Sequence, residues 1–182
     1  MTLLEAVNIV LRALSEHTVA STEIRHPSVT LALDKINEAR EALLNENWWF
    51  NNIVVTLNRE FDGRVQYPAD TLAFVPDNYI CIVRDGYLYN TQNNSFVFNE
   101  DVSGLITYDL SWDDLPSAAQ RVVAYNAALM AFDLEFGGNP PASVLMSMQS
   151  AFAQLQAMHT RQRRYNARQR PQWCAYNSAR RG

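Results

Sequence analysis

The sequence predicts an α+β fold: an antiparallel helix bundle drawn from both chain ends, an inserted antiparallel β-meander, and an extended C-terminal arm. Three observations carry that expectation. Apolar residues recur at spacings of three and four over both ends of the chain, which is the helical period. Between about residues 53 and 108 the pattern changes to short apolar runs broken by Gly, Pro, Asn and Asp. The charges are also segregated. Residues 1–135 hold all 19 acidic side chains against eight basic ones, whereas residues 136–182 hold seven Arg, no Lys and no acid. The net charge of −4 therefore hides a balance of −11 against +7. With 182 residues and 48% hydrophobic content, the chain can bury about 70% of its unfolded surface without a disulfide or metal staple. A wholly disordered chain is excluded.

Thr2 and Glu5 have capping-box spacing, and Leu3, Val7, Val10, Leu11 and Leu14 share a stripe, predicting a first helix over 3–15. His17–His26 reads as a loop. Pro27 and Ser28 open a second helix with Val29, Leu33, Ile36 and Leu43 on one face, ending near Asn45–Asn47, just before Trp48-Trp49-Phe50. Ile53–Leu57 alternates as a strand, Asp62-Gly63 marks a turn, and Pro68 and Pro76 interrupt the stretch beyond it. Tyr79–Arg84, Asp85-Gly86 and Tyr87–Asn90 form a hairpin signal, because Asp-Gly accepts the positive φ of a two-residue turn. Gln92–Ser95 is a second turn, Phe96-Val97-Phe98 a further strand, and Leu105–Tyr108 the last. Helical period returns after Pro116 with Ala118, Val122, Tyr125, Leu129, Phe132 and Phe136. Gly137-Gly138 stops that helix and Pro140-Pro141 starts another, carrying Leu145, Met148, Phe152, Leu155 and His159 until Pro171. The predicted divisions are bundle helices over 1–50 and 116–170, the meander over 51–115, and the arm over 171–182.

Little of this points to catalysis or cofactors. His17, His26 and His159 have no Cys or His at ligand spacing, so no zinc site is predicted. No nucleophile elbow, phosphate-cradling glycine loop or His-Glu-x-x-His is present. No apolar run reaches membrane-spanning length, and the start lacks the features of a secretory signal. Cys81 and Cys174 do not make a disulfide framework and fit synthesis in a reducing compartment. Asp113-Asp114 reads as a pair of acids stabilising the start of the next helix rather than as an acid/base pair. Trp48-Trp49-Phe50 is assigned as a structural anchor at a corner of the core, in preference to a stacking platform for bases or sugars.

The arginine segment carries the predicted partner contacts. Arg161, Arg164 and Arg168 share a helix face, with Arg163 and Arg170 beside it. Beyond Pro171, Trp173, Tyr176, Arg180 and Arg181 combine aromatic and cationic groups in a short tail. Such side chains dominate binding hot spots, so the tail is predicted to dock on an acidic protein surface or on nucleic-acid phosphate.

Several phrases, taken in order, resemble a known family. They are Ala6-Val7-Asn8-Ile9-Val10-Leu11, Ile36-Asn37, Asn45-Glu46-Asn47-Trp48-Trp49-Phe50-Asn51, Tyr67-Pro68-Ala69-Asp70-Thr71-Leu72, Asp85-Gly86-Tyr87-Leu88-Tyr89-Asn90 and Trp112-Asp113-Asp114-Leu115-Pro116. A helix with Arg121 comes next and ends at Phe136-Gly137. The series resembles the tail tubular protein A family, the head-to-tail adaptors of short-tailed bacteriophages, over residues 3–140. The resemblance implies a structural virion protein without enzymatic activity or cofactors, made in the host cytoplasm. It implies a dodecameric ring below the portal protein that receives the tail nozzle protein, and in some phages tail fibres, with DNA passing through its centre.

Under that implication the acidic body lets passing DNA slide, and the arm clamps the portal protein or a neighbouring subunit. Two alternatives stand beside it. One is a nucleic-acid-binding module using the C-terminal arginines. The other is a tail-associated polysaccharide or cell-wall hydrolase, which would need two carboxylates about 5–9.5 Å apart, drawn from Asp70, Asp77, Asp85 and Asp109.

Overall fold

A computed structural model describes residues 1–169, with side chains placed through residue 163. It contains four helices and five strands: α1 (Leu3–Ala13), α2 (Pro27–Leu44), β1 (Asn52–Leu57), β2 (Thr71–Pro76), β3 (Cys81–Arg84), β4 (Tyr87–Asn90), β5 (Val102–Tyr108), α3 (Ser117–Phe136) and α4 (Ala142–Gln169). The class is α+β. The described chain divides into a helical unit, residues 1–43 and 112–169, and a β unit, residues 44–111.

In the helical unit, Thr2 and Glu5 close both bonds of the capping box: the Thr2 hydroxyl accepts from the Glu5 amide, and the Glu5 carboxylate accepts from the Thr2 amide. Ala6, Val7, Val10 and Leu11 are buried on one face. Asn8 fixes the chain beyond the helix, donating to the Val19 carbonyl (3.0 Å) and accepting from the Val19 amide (2.8 Å). On α2 the buried stripe is Val29, Ala32, Ile36, Ala39 and Leu43, a spacing of three, four, three and four, so Leu33, expected on that face, gives way to Ala32 and is only partly buried.

Both α1 and α4 pack against α3. The buried residues of α3 are mostly small: Ala118, Ala119, Val122, Val123, Ala124, Ala127, Ala128 and Ala131. This corrects the stripe expected from the larger side chains, since Tyr125, Leu129 and Phe132 are only partly buried and Phe136 is exposed. The separation of packed helices depends on the side chains at the contact, and alanines let two neighbours approach one helix closely. Asp113 and Asp114 are exposed, and the N-cap residue of α3, Pro116, makes no side-chain cap hydrogen bond. Pro116 occupies the N-cap, so the acids fall in the preceding turn rather than at the cap. Gln120, buried in the first turn, donates to the Trp112 carbonyl (2.9 Å) and accepts from the Met1 amino group (3.0 Å).

The β unit departs from a meander. Its three-stranded sheet has the order β1-β5-β2, antiparallel throughout, and β3-β4 is a separate hairpin. A meander would pair each strand with its sequence neighbour, whereas here the last strand is central. Two features explain the order. β2 ends at Pro76, which has no amide to donate and suits an edge. Gly104 lies at the centre of β5, where an added Cβ would stand 2.8 Å from the Phe74 ring and the Pro76 Cα, and closer still to the Val75 carbonyl oxygen. β5 is also three residues longer at its start than the sequence indicates. Phe96–Phe98 is not a strand; its chain is held by the Phe98 amide on the Gly63 carbonyl (2.8 Å). The expected Asp85-Gly86 turn is present, with both residues at positive φ (51° and 77°). Val65, Leu88, Phe98 and Val102 form the core, with Leu57, Tyr67, Phe74, Tyr79 and Cys81 packed around them.

Replacing Gly104 by Ala should therefore push β2 away from β5 and destabilise the β unit by about 1–3 kcal/mol. Denaturant unfolding of the two proteins measures the difference; an unchanged midpoint would show that β2 yields without cost.

Candidate assembly surfaces

Trp48, Trp49 and Phe50 lie at the start of the β unit. Trp48 is buried, whereas Trp49 and Phe50 are half-buried. The Trp48 and Phe50 rings are parallel with centroids 6.4 Å apart, and Trp49 stands edge-on to both, at 6.4 and 4.9 Å. The asparagines around them do more than close local turns. Asn51 is fully buried and its amide donates to the carbonyls of Leu44 (2.8 Å) and Tyr108 (3.3 Å). The Asn47 side-chain oxygen accepts from Asn52 and from the Thr107 hydroxyl, each at 2.9 Å. The corner is thus bonded to the end of β5.

The arginine set is reached only in part. Arg161 is exposed on α4. Arg164 and Arg168 lie on the same helix by backbone position, but their side chains fall outside the described residues, as do Arg170, Trp173, Tyr176, Arg180 and Arg181. The inward stripe of α4 runs through Met148, Ala151, Phe152, Leu155 and His159, while Leu145 is exposed. Burial lowers the His159 pKa below 6.5, and the positive charge of Arg163 one turn later adds to the effect.

Two surfaces of the β unit have no clear signature in the sequence. The first is the outer face of the sheet. Val54 on β1, Leu105 on β5 and Val75 on β2 are register partners and form one apolar row across all three strands. Val54 and Val75 are 75% and 62% exposed. The row is bordered by the Thr56–Ser103 hydroxyl pair (2.8 Å) on one side and Asn52–Thr107 (3.0 Å) on the other. Neighbouring apolar side chains exposed in one row are candidate material for a contact surface. The available signal is Ile53-Val54-Val55, three apolar residues in succession where a strand with one solvated face would alternate.

The second surface is the turn from Arg59 to Val65, which presents Phe61 fully exposed. Arg59, Glu60, Asp62 and Asp101 line the same surface pocket as Phe61. An aromatic residue set among five charged neighbours, Arg59-Glu60-Phe61-Asp62-Gly63-Arg64 with Asp101 brought in by the fold, is the trace of this in the sequence. Residues 44–111 carry nine acidic and three basic side chains, so the unit that bears both surfaces is strongly negative.

Titratable groups elsewhere do not gather. Among the described residues no group of three or more His, Cys, Asp or Glu is placed to hold a metal ion, and no helix is long and apolar enough to cross a membrane. Burial raises the Cys81 thiol pKa. Tyr79 donates to the Glu100 carboxylate (3.0 Å), a bond that raises its own pKa. Of the four aspartates considered as a hydrolytic reservoir, Asp85 sits in the hairpin turn, and the Asp109 amide bonds the Asp70 carbonyl (2.9 Å).

Comparison with known proteins gives two findings. Residues 4–165 match the family described as Tail tubular protein. A protein of Klebsiella phage KP34, Tail tubular protein A, is 30% identical over 138 residues, covering 75% of this chain and 74% of the phage protein.

His159 supplies a pH test of the α4 packing. Because its folded pKa is depressed, the unfolded chain takes up the proton first as the pH falls. Its contribution to stability is whole above the ordinary value of 6.5 and is lost as the pH drops from there toward the folded value. The melting temperature should fall between about pH 7.5 and pH 5.5, and His159→Gln should flatten the part of that slope due to this proton. Identical slopes for the two proteins would contradict the burial of the imidazole.

Proposed function

The chain belongs to the tail tubular protein family and is a structural protein of a bacteriophage tail; on that premise we propose that it is the head-to-tail adaptor. Copies form a ring, a dodecamer by family likeness, between the portal protein and the tail nozzle protein, with tail fibres as further neighbours in some phages. DNA passes through the ring during ejection without being bound by sequence. The protein has no catalytic role. The helices of both chain ends form the bundle body, the inserted β unit is a contact module, and the Arg/aromatic arm over 171–182 is the clamp on the portal or on a neighbouring copy. Trp48, Trp49 and Phe50 serve as a structural anchor.

The observation that supports this reading best is the β unit itself. It leaves an apolar row and an aromatic turn exposed, bonded into a rigid frame. A ring needs two different surfaces on every copy, because its contacts are heterologous rather than two-fold. The charge layout agrees. An acidic body repels a passing duplex, whereas cationic and aromatic groups are concentrated where a clamp is required.

Removing residues 171–182 should leave a folded protein that no longer joins portal rings, read by light scattering of mixtures with and without portal. Normal attachment by the shortened chain would overturn the role given to the arm. A mobility-shift series separates the nucleic-acid alternative. Several arginines on phosphate would make DNA affinity fall steeply with log[salt], by about 0.9 per phosphate neutralised. An adaptor should show little affinity at physiological salt.

A further inference from the structure

Phe61 is held in place without being packed. The Arg59–Val65 bridge closes the base of its turn, and inside it the Glu60 amide donates to the Arg64 carbonyl (2.7 Å) and the Gly63 amide to the Glu60 carbonyl (2.9 Å). The Arg59 amide donates to the Asp101 carboxylate (2.9 Å), which ties the turn to the start of β5. Asp62 accepts from the Arg64 amide (3.0 Å) and pairs with its guanidinium (3.3 Å). That guanidinium in turn lies over the Tyr87 and Phe96 rings, 5.5 and 5.8 Å from their centroids. Gly63 is buried, and a Cβ there would stand 2.7 Å from Val97. Nothing in this set holds Phe61 down. Its backbone is fixed by its neighbours while its ring remains fully exposed.

An aromatic ring presented on a rigid turn loses little conformational freedom when it docks, the condition under which one side chain can anchor an interface. Its surroundings narrow the partner. Glu60, Asp62 and Asp101 line one surface pocket with Phe61 and a single cation, Arg59, within a unit carrying nine acids against three bases. Phosphate would be repelled there. A guanidinium would be favoured twice, by the ring face and by the carboxylates, and a partner aromatic could stack beside it. The chain itself contains a segment of that chemistry beyond the described residues. Residues 170–182 carry Arg170, Trp173, Tyr176, Arg180 and Arg181 and no acid. The apolar row of the sheet offers no cations to meet the three carboxylates.

We propose that the Phe61 turn, with Glu60, Asp62 and Asp101, is the receptor for the 170–182 segment of a neighbouring copy. This rests on the ring reading above and names the surface the arm engages. Each copy then gives a segment and receives one, which is the asymmetry a closed ring requires.

The test uses full-length chains with Phe61→p-benzoylphenylalanine, as a mixture of unlabelled and ¹⁵N-labelled protein assembled on portal rings. After irradiation and digestion, the cross-linked peptides are identified by mass. Links from residue 61 to peptides within 170–182, joining labelled to unlabelled chains, are expected. Links confined to one chain, to other peptides or to the portal protein would overturn the proposal. In parallel, Phe61→Ala, with its melting temperature as the folding control, should weaken ring retention about tenfold or more, as for a hot-spot residue. Combined with removal of 171–182, Phe61→Ala should add nothing further, because both changes remove one contact. Additive losses would show that the turn and the arm act separately. Failure of the wild-type chain to form rings on portal would overturn the adaptor reading itself, whereas ring formation with links elsewhere would overturn only this assignment.

Discussion

The β unit depends on one constraint, that β5 must pair on both sides. Antiparallel partners β1 and β2 satisfy its backbone along most of its length. That arrangement is possible because Gly104 lets the chain of β2 come closer than any side chain would allow. The other features of this unit are attached to one end of β5 or to one of its faces. Its inner face supplies Val102 and Ile106 to the buried side, and its outer face supplies Leu105 to the exposed row. At its start Asp101 holds the Arg59 amide and so the Phe61 turn. At its end Thr107 and Tyr108 receive the asparagine corner.

This gives the β unit a division of labour. Hydrogen bonds and a small core fix the frame, and the side chains left over are presented. Val54, Val75 and Phe61 gain nothing for the fold by being apolar, since they are mostly or wholly exposed. In a phage tail protein, exposed apolar side chains of this kind are the expected material of contacts with other proteins. The helical unit is built differently. Its central helix buries alanines rather than large side chains, the Gln120 amide closes the Trp112 carbonyl, and the Trp112 indole closes the Met1 carbonyl ahead of α1.

Much of the architecture is legible in the sequence because it depends on neighbours along the chain. The Thr2/Glu5 capping box, the Asp85-Gly86 turn and the period of α2 are local devices, and each appears where the residues place it. The departures also share a cause. The face of α3 differs from expectation because large apolar residues dominate a period count, while burial between two helices selects small ones. A meander is the natural reading of successive short strands. It fails because strand order is decided by long-range approach, here by one glycine and one proline. Of the candidate contact residues, the arginines are visible as a run of charge. Phe61 is marked only by the charges beside it, because a Phe in a turn looks the same in sequence whether it is buried or presented.

The sequence by itself determined the fold class, the local punctuation of each helix and hairpin, the segregation of charge and the resemblance to tail tubular proteins. These depend on residue type, spacing and order, which a linear reading retains. Only the tertiary structure decided that β5 is central, that Asn51 closes the carbonyls of Leu44 and Tyr108, and that Val54, Leu105 and Val75 meet in one exposed row. Those outcomes pair residues up to 57 positions apart. Whether such residues meet is settled by the packing of the whole unit, and no local pattern records it.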